Sequence, residues 1–117
     1  MQINHTDMVA TLVKPGENIL TSLTPKRCHE LHMIMGISGE AGELLDAFKK
    51  HIIYNRELDR ENVIEELGDI EFYLEGLRQS AGVTREECIN GNILKLGKRY
   101  KQFKYSDQQA QERKDKQ

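Results

Sequence analysis

Residues 33–52 read Met33-Ile34-Met35-Gly36-Ile37-Ser38-Gly39-Glu40-Ala41-Gly42-Glu43-Leu44-Leu45-Asp46-Ala47-Phe48-Lys49-Lys50-His51-Ile52. Met33, Ile34, Ile37, Ala41, Leu44, Leu45, Phe48 and Ile52 fall on one broad arc at helical spacing. Upstream, Thr24-Pro25 supplies a capping hydroxyl followed by a ring whose fixed φ suits the first helical position. No proline follows Pro25. The stretch predicts one long helix from 25 to about 53. Gly36, Gly39 and Gly42 inside it cost up to about 1 kcal/mol each against alanine. Close helix approach or a local bend would explain their presence.

Working outward, residues 54–58 form a polar connection, and Asp59 caps a second helix carrying Val63, Ile64, Leu67, Ile70, Leu74 and Leu77. Ala81-Gly82 stops it. Thr84-Arg85-Glu86-Glu87 matches a capping box and opens a third helix with Ile89, Ile93, Leu94, Leu96 and Tyr100. In the other direction a short helix over 7–13 ends at Lys14-Pro15-Gly16, and a loop of turn-type residues leads to Thr24. Beyond Phe103 the chain becomes a polar tail, either mobile or docked on a partner. β-branched residues never alternate over a useful length. The expected fold is all-α, an antiparallel helical bundle of about four helices. It forms a single domain over 1–117, with a short N-terminal helix and loop at 1–24 and the tail at 104–117. Three substantial helices bury only a modest core, so packing as a homo-oligomer, dimer or tetramer, is expected.

Composition narrows the partners. At 117 residues with 31% charged and 38% apolar residues the chain suits one globular domain. A net charge of -2 gives no global argument for nucleic acid or an acidic membrane surface. No apolar run approaches the roughly 18 residues of a spanning helix. The first residues show neither the basic start nor the apolar stretch of a signal peptide, so a cytoplasmic location is expected. Cys28 and Cys88 are too few and too distant for a disulfide framework. Cys28 and His32 share a helix face, but no second Cys/His pair completes a zinc site.

The long helix then presents an anomaly. Glu40 and Glu43 stand three apart and are neighbours on one face, where like charges repel. They border the apolar arc instead of occupying its most solvated side. In Glu65-Glu66-Leu67-Gly68-Asp69 the second helix repeats the pattern, with Glu66 and Asp69 three apart beside Ile70 and Tyr73. Antiparallel packing of two helices joined by a short loop would bring both pairs into one crevice. Four unscreened carboxylates there repel by several kcal/mol at reduced dielectric, on the order of magnitude set by Coulomb's law. A hard divalent cation relieves the repulsion. The bland alternative is solvated helix surface, since a chain so rich in charge contains such pairs by chance. Two pairs at the core edge of consecutive helices weigh against it.

Glu-x-x-Glu, a spacer, then Glu-x-x-Asp resembles the signature of the all-α nucleoside triphosphate pyrophosphohydrolases, the superfamily of MazG proteins, dimeric dUTPases and dCTP pyrophosphatases. Here the spacer holds 22 residues between Glu43 and Glu66. The flanks Lys49-Lys50, Asn62-Val63, Phe72-Tyr73 and Asn92-x-x-Lys95-Leu96-x-x-Arg99-Tyr100 are similar too. The similarity covers roughly 31–113.

The resemblance implies hydrolysis between the α and β phosphates of a nucleoside triphosphate, giving monophosphate and pyrophosphate. It assigns Glu40, Glu43, Glu66 and Asp69 to Mg²⁺, with Mn²⁺ as a substitute. One first-pair glutamate would act as the base for water, with a preference for Glu43 over Glu40. Lys50, Tyr73, Asn92, Lys95, Arg99 and His32 are the candidate substrate contacts. Each also has a bland reading, as end-of-helix cation, core aromatic or solvated polar face. His29 accompanies His32 as a secondary candidate. The tail departs from the family pattern, because Lys101-Gln102-Phe103-Lys104 stands where proline and glycine often follow.

Three other readings are weaker. A di-iron bundle needs Glu-x-x-His pairs, and neither acidic pair ends in histidine. A non-catalytic nucleotide-binding or helical interaction module would not need all four acids intact. Single-strand binding would rest on Lys95, Lys98, Arg99, Lys101 and Lys104 with interleaved aromatics, which an acidic pocket and a near-neutral chain disfavour. Which base or sugar is preferred is not encoded in any residue of the loops.

Overall fold

The computed structural model describes residues 2–116 and is helical throughout its regular elements. Met1 and Gln117, the ends of the expected domain, lie outside the described residues. In chain order the helices are α1 (His5–Leu12), α2 (Gly16–Leu20), α3 (Pro25–Ile52), α4 (Arg60–Ala81), α5 (Arg85–Arg99) and α6 (Asp107–Glu112). Short 3-10 turns occupy Lys101–Phe103 and Lys114–Lys116.

Local chemistry sets the boundaries of the long helices. Thr24 Oγ1 accepts from Arg27 N at 3.2 Å, with Pro25 at the first helical position of α3. Asp59 Oδ1 accepts from Asn62 N at 3.1 Å and starts α4. Gly82, at φ 74°, ends α4 in the left-handed conformation that glycine adopts without a Cβ clash. Thr84 and Glu87 form a reciprocal capping box at 3.0 and 3.1 Å and open α5.

Among the described residues there are six α-helices, the expected four and two more, α2 and α6, which are too short to show a period in the sequence. Pro15 precedes α2, and Ser106 caps α6 by accepting from Gln109 N at 3.1 Å.

The dominant packing is α3 against α4, an antiparallel hairpin. It is tight where glycines remove side chains. A Cβ on Gly36 would overlap the Tyr73 ring, and one on Gly76 would overlap Met33 Sδ. Met33 is the only buried apolar residue among those described. α5 packs instead on the C-terminal turns and α6.

One chain therefore does not close a bundle around itself. The radius of gyration is 20.2 Å, against about 13 Å for a compact domain of this length. The accessible surface is 9924 Å², against about 6,500 Å² for a folded monomer of this mass. Ile34, Leu45, Ile52, Phe72 and Leu94, all on amphipathic helices, remain more than half exposed. Among the described residues no helix is long and apolar enough to cross a membrane.

Candidate metal centre

The two glycine contacts bring the acidic turns together. On α3, Glu40 lies one turn after Gly36; on α4, Asp69 and Glu66 lie one and two turns before Tyr73. One carboxylate oxygen from each of Glu40, Glu66 and Asp69 falls within 4.8 Å of the other two. Glu40 and Glu66 are half-buried, and Asp69 is exposed at the rim. Glu43 lies outside this tight trio, yet its charge still acts on Glu66.

Glu66 carries the strain of the arrangement. Its Oε2 is buried and has no hydrogen-bond partner. Protonated, Glu66 can donate to Glu40, and this is the main reason its carboxyl is raised from 4.5 to about 7. Burial adds to the rise, followed by the negative charges of Glu40, Glu43 and Asp69. No arginine or lysine forms an ion pair with any of the four acids among the described residues. A buried carboxylate oxygen without a donor, on a side chain beside other carboxylates, is stabilised by a cation or a proton. The donor set, all carboxylate oxygen, is that of a hard divalent ion.

The other sequence candidates divide into two groups. His32 and Tyr73 meet edge to face, centroids 6.1 Å apart, one to two turns from the acids along the hairpin. Lys50 lies at the loop end, where its Nζ pairs with Asp46 at 3.1 Å on an exposed face. It also lines a cleft of about 250 Å³ with Ala47, Arg56, Glu57, Asp59 and Asn62. Arg56 was not singled out in the sequence. Its approach depends on the loop, where Asn55 takes φ 54° and His51 Nδ1 donates to Arg56 O at 2.7 Å. No sequence period announces such a turn.

Asn92, Lys95 and Arg99 belong to α5, which packs on the C-terminal segment instead of across the hairpin. Within one chain they are not gathered with the acids. Arg99 is engaged elsewhere: its Nε donates to Asp115 Oδ1 at 2.9 Å and its Nη2 to Oδ2 at 3.3 Å. The Asp115 side chain is only 4% exposed there. The fork geometry holds the Asp115 carboxyl below the usual carboxylate range.

A family model described as the MazG nucleotide pyrophosphohydrolase domain matches residues 29–104, more than half of the chain. The match includes both acidic pairs and the whole of α4 and α5. No curated protein and no solved structure matches the chain.

Proposed function

We propose that this chain, which belongs to the MazG nucleotide pyrophosphohydrolase domain family, cleaves nucleoside triphosphates between the α and β phosphates, releasing a monophosphate and pyrophosphate. The observation that carries this reading is the convergence of Glu40, Glu66 and Asp69 around the unpartnered Glu66 Oε2. Its all-carboxylate donor set suits Mg²⁺, with Mn²⁺ able to replace it.

Glu40, Glu43, Glu66 and Asp69 would hold the ion. When bound, it supplies Lewis-acid neutralisation of phosphate charge and helps orient water. The remaining work falls to the chain. Glu43, outside the tight trio and so less committed as a ligand, accepts the proton of the attacking water. Tyr73, fixed against Gly36, walls the crevice and positions the nucleotide with His32. Lys50, exposed at the loop end, would neutralise the departing pyrophosphate by exchanging Asp46 for phosphate.

Asn92 and Lys95 would reach a site across a subunit boundary, which makes the active form a homodimer or homotetramer. The surface left open supports this. It exceeds that of a compact monomer by about 3,400 Å², an excess that suits obligate interfaces of about 2,000–5,000 Å² in total. Four-helix packing would then arise from the hairpins of two copies, in place of a bundle closed within one chain.

The test is pyrophosphate release from a panel of NTPs and dNTPs with and without Mg²⁺. Cation-dependent monophosphate formation is expected, lost in Glu43→Gln and Asp69→Asn with helical circular dichroism unchanged. Full turnover in both variants would contradict the reading.

A further inference from the structure

A second cleft opens on the hairpin, about 470 Å³ in volume and lined by His29, Met33, Phe72, Glu75, Gly76 and Gln79. Its position follows from helix spacing. On α3 the series Glu43, Glu40, Gly36, Met33, His29 advances in steps of three and four residues, as does Glu66, Asp69, Tyr73, Gly76 on α4. Each series is one row along a helix face. Both rows begin in the acidic cluster and end in the cleft, with the His32–Tyr73 pair between them. Glu40 and Met33, like Asp69 and Gly76, stand seven positions apart, an axial distance of about 10 Å. That is the reach of one sugar and base laid out from its phosphate.

The lining suits a flat, mainly apolar ring with polar edges. Phe72 stands edge to face against Tyr73, centroids 5.3 Å apart, and the residue remains 68% exposed. Met33 forms the floor because Gly76 has no side chain to displace its sulfur. Polar groups are few and oriented. Gln79 Nε2 donates to Glu75 Oε2 at 3.0 Å, while Arg78 Nε donates to Glu75 Oε1 at 2.9 Å. The carboxylate can only accept, so it fixes which end of the Gln79 amide carries the donor. Gln79 Oε1 and the His29 ring nitrogens have no partner among the described residues and remain available. Apolar walls with a few convergent polar groups are the usual make-up of a small-molecule pocket.

We propose that this cleft receives the nucleobase of the substrate, with Phe72 and Met33 against the ring and Gln79 and His29 reading its edge. The assignment rests on the pyrophosphohydrolase reading of the acidic cluster and adds to it a direction: base toward His29 and Gln79, pyrophosphate toward Lys50. It makes Phe72 and Gln79 specificity residues, although neither approaches the scissile bond.

The experiment compares Phe72→Ala and Gln79→Ala with wild type in Mg²⁺. KM and kcat are measured on the four dNTPs, and inorganic tripolyphosphate serves as a base-free competitive inhibitor. Both side chains are exposed, so their truncation leaves the hairpin core intact. Phe72→Ala is expected to raise KM for every dNTP by about tenfold, the worth of one aromatic contact. Gln79→Ala is expected to flatten the preference between amino-bearing and oxo-bearing bases. Tripolyphosphate inhibition should stay within about twofold of wild type in both.

Unchanged KM and unchanged base ranking in both variants would overturn the base site while leaving the pyrophosphohydrolase reading intact. So would a change in subunit number on sedimentation of Phe72→Ala accompanied by weaker tripolyphosphate inhibition, since the cleft would then be a contact between copies. Absence of cation-dependent turnover in wild type on all nucleotides would instead remove the underlying reading, and the base site with it.

Discussion

The hairpin of α3 and α4 and the lobe of α5 with its C-terminal turns both hold carboxylates against helix surface, but only one of them satisfies its acids. In the lobe, Asp115 is nearly buried and receives two hydrogen bonds from Arg99. In the hairpin, Glu66 is half-buried, its Oε2 has no donor, and carboxylate oxygens of Glu40 and Asp69 lie within 4.8 Å of its own carboxylate. The same functional group is stabilising in one place and costly in the other. A buried acid with a fitted guanidinium closes a structure. A buried acid among acids leaves a position for something the chain does not itself provide.

Substituting the hairpin acids should give the largest effect and the sharpest contrast with the lobe. Glu66→Gln is expected to lower kcat by about 10²–10³-fold, the usual loss when an electrostatic contact to the reacting centre is removed. The same variant should be at least as stable as wild type without metal, because it removes a repelled charge. Steady-state pyrophosphate release and metal-free thermal melts check both halves. Reduced activity with reduced metal-free stability would make Glu66 an ordinary structural residue, like Asp115.

Close approach of the helices is the next lever. Gly36→Ala would press a methyl against the Tyr73 ring, and overpacking of this kind costs about 1–3 kcal/mol. Denaturant unfolding should show that loss, and turnover should fall with it as the acidic turns separate. Gly39→Ala, where a Cβ meets nothing within 4 Å, should leave packing undisturbed.

A smaller effect is expected from pH. Because the folded state raises Glu66 from 4.5 to about 7, its contribution to metal-free stability is fully present below pH 4.5. It is lost as pH rises through about 7. Divalent cation should therefore raise the melting temperature more at pH 8 than at pH 5. Asp115 has the opposite sign. Its folded value is lowered, so the Arg99 contact contributes above the ordinary carboxylate range and is lost as pH falls through the folded value.

The smallest effect is expected from Asp115→Asn. Amide exchange should accelerate in α6 and the last turns and stay unchanged in α3 and α4, since the lobe packs little on the hairpin.

Much of the hairpin could be read from the sequence because its boundaries depend on single residues. Thr24-Pro25, Asp59, Gly82 and Thr84 each act locally, and each stands at the start or end of a helix. The spacing of the acids was equally legible. Their convergence follows from antiparallel packing, and close helix approach is one reading of Gly36; the pairings of Gly36 with Tyr73 and Gly76 with Met33 are not legible, because each partner lies on the other helix. The apolar arc of α3 predicts a core, yet Leu45 and Ile52 are exposed. Among the described residues α3 packs chiefly on one partner helix, α4. The sequence alone allows the tail to be either mobile or docked on a partner. It docks on α5 of its own chain, through an Arg99–Asp115 pair sixteen residues apart that no local pattern encodes. That contact also occupies Arg99, which the resemblance had placed among the substrate contacts.

Binding of Mn²⁺, followed by electron paramagnetic resonance on wild type, Glu66→Gln, Asp69→Asn and Asp115→Asn, tests the convergence of the hairpin acids most directly. Saturable binding to wild type and Asp115→Asn, abolished in Glu66→Gln and Asp69→Asn, is the predicted outcome. Equal Mn²⁺ affinity in all four proteins would mean that these acids do not share a cation.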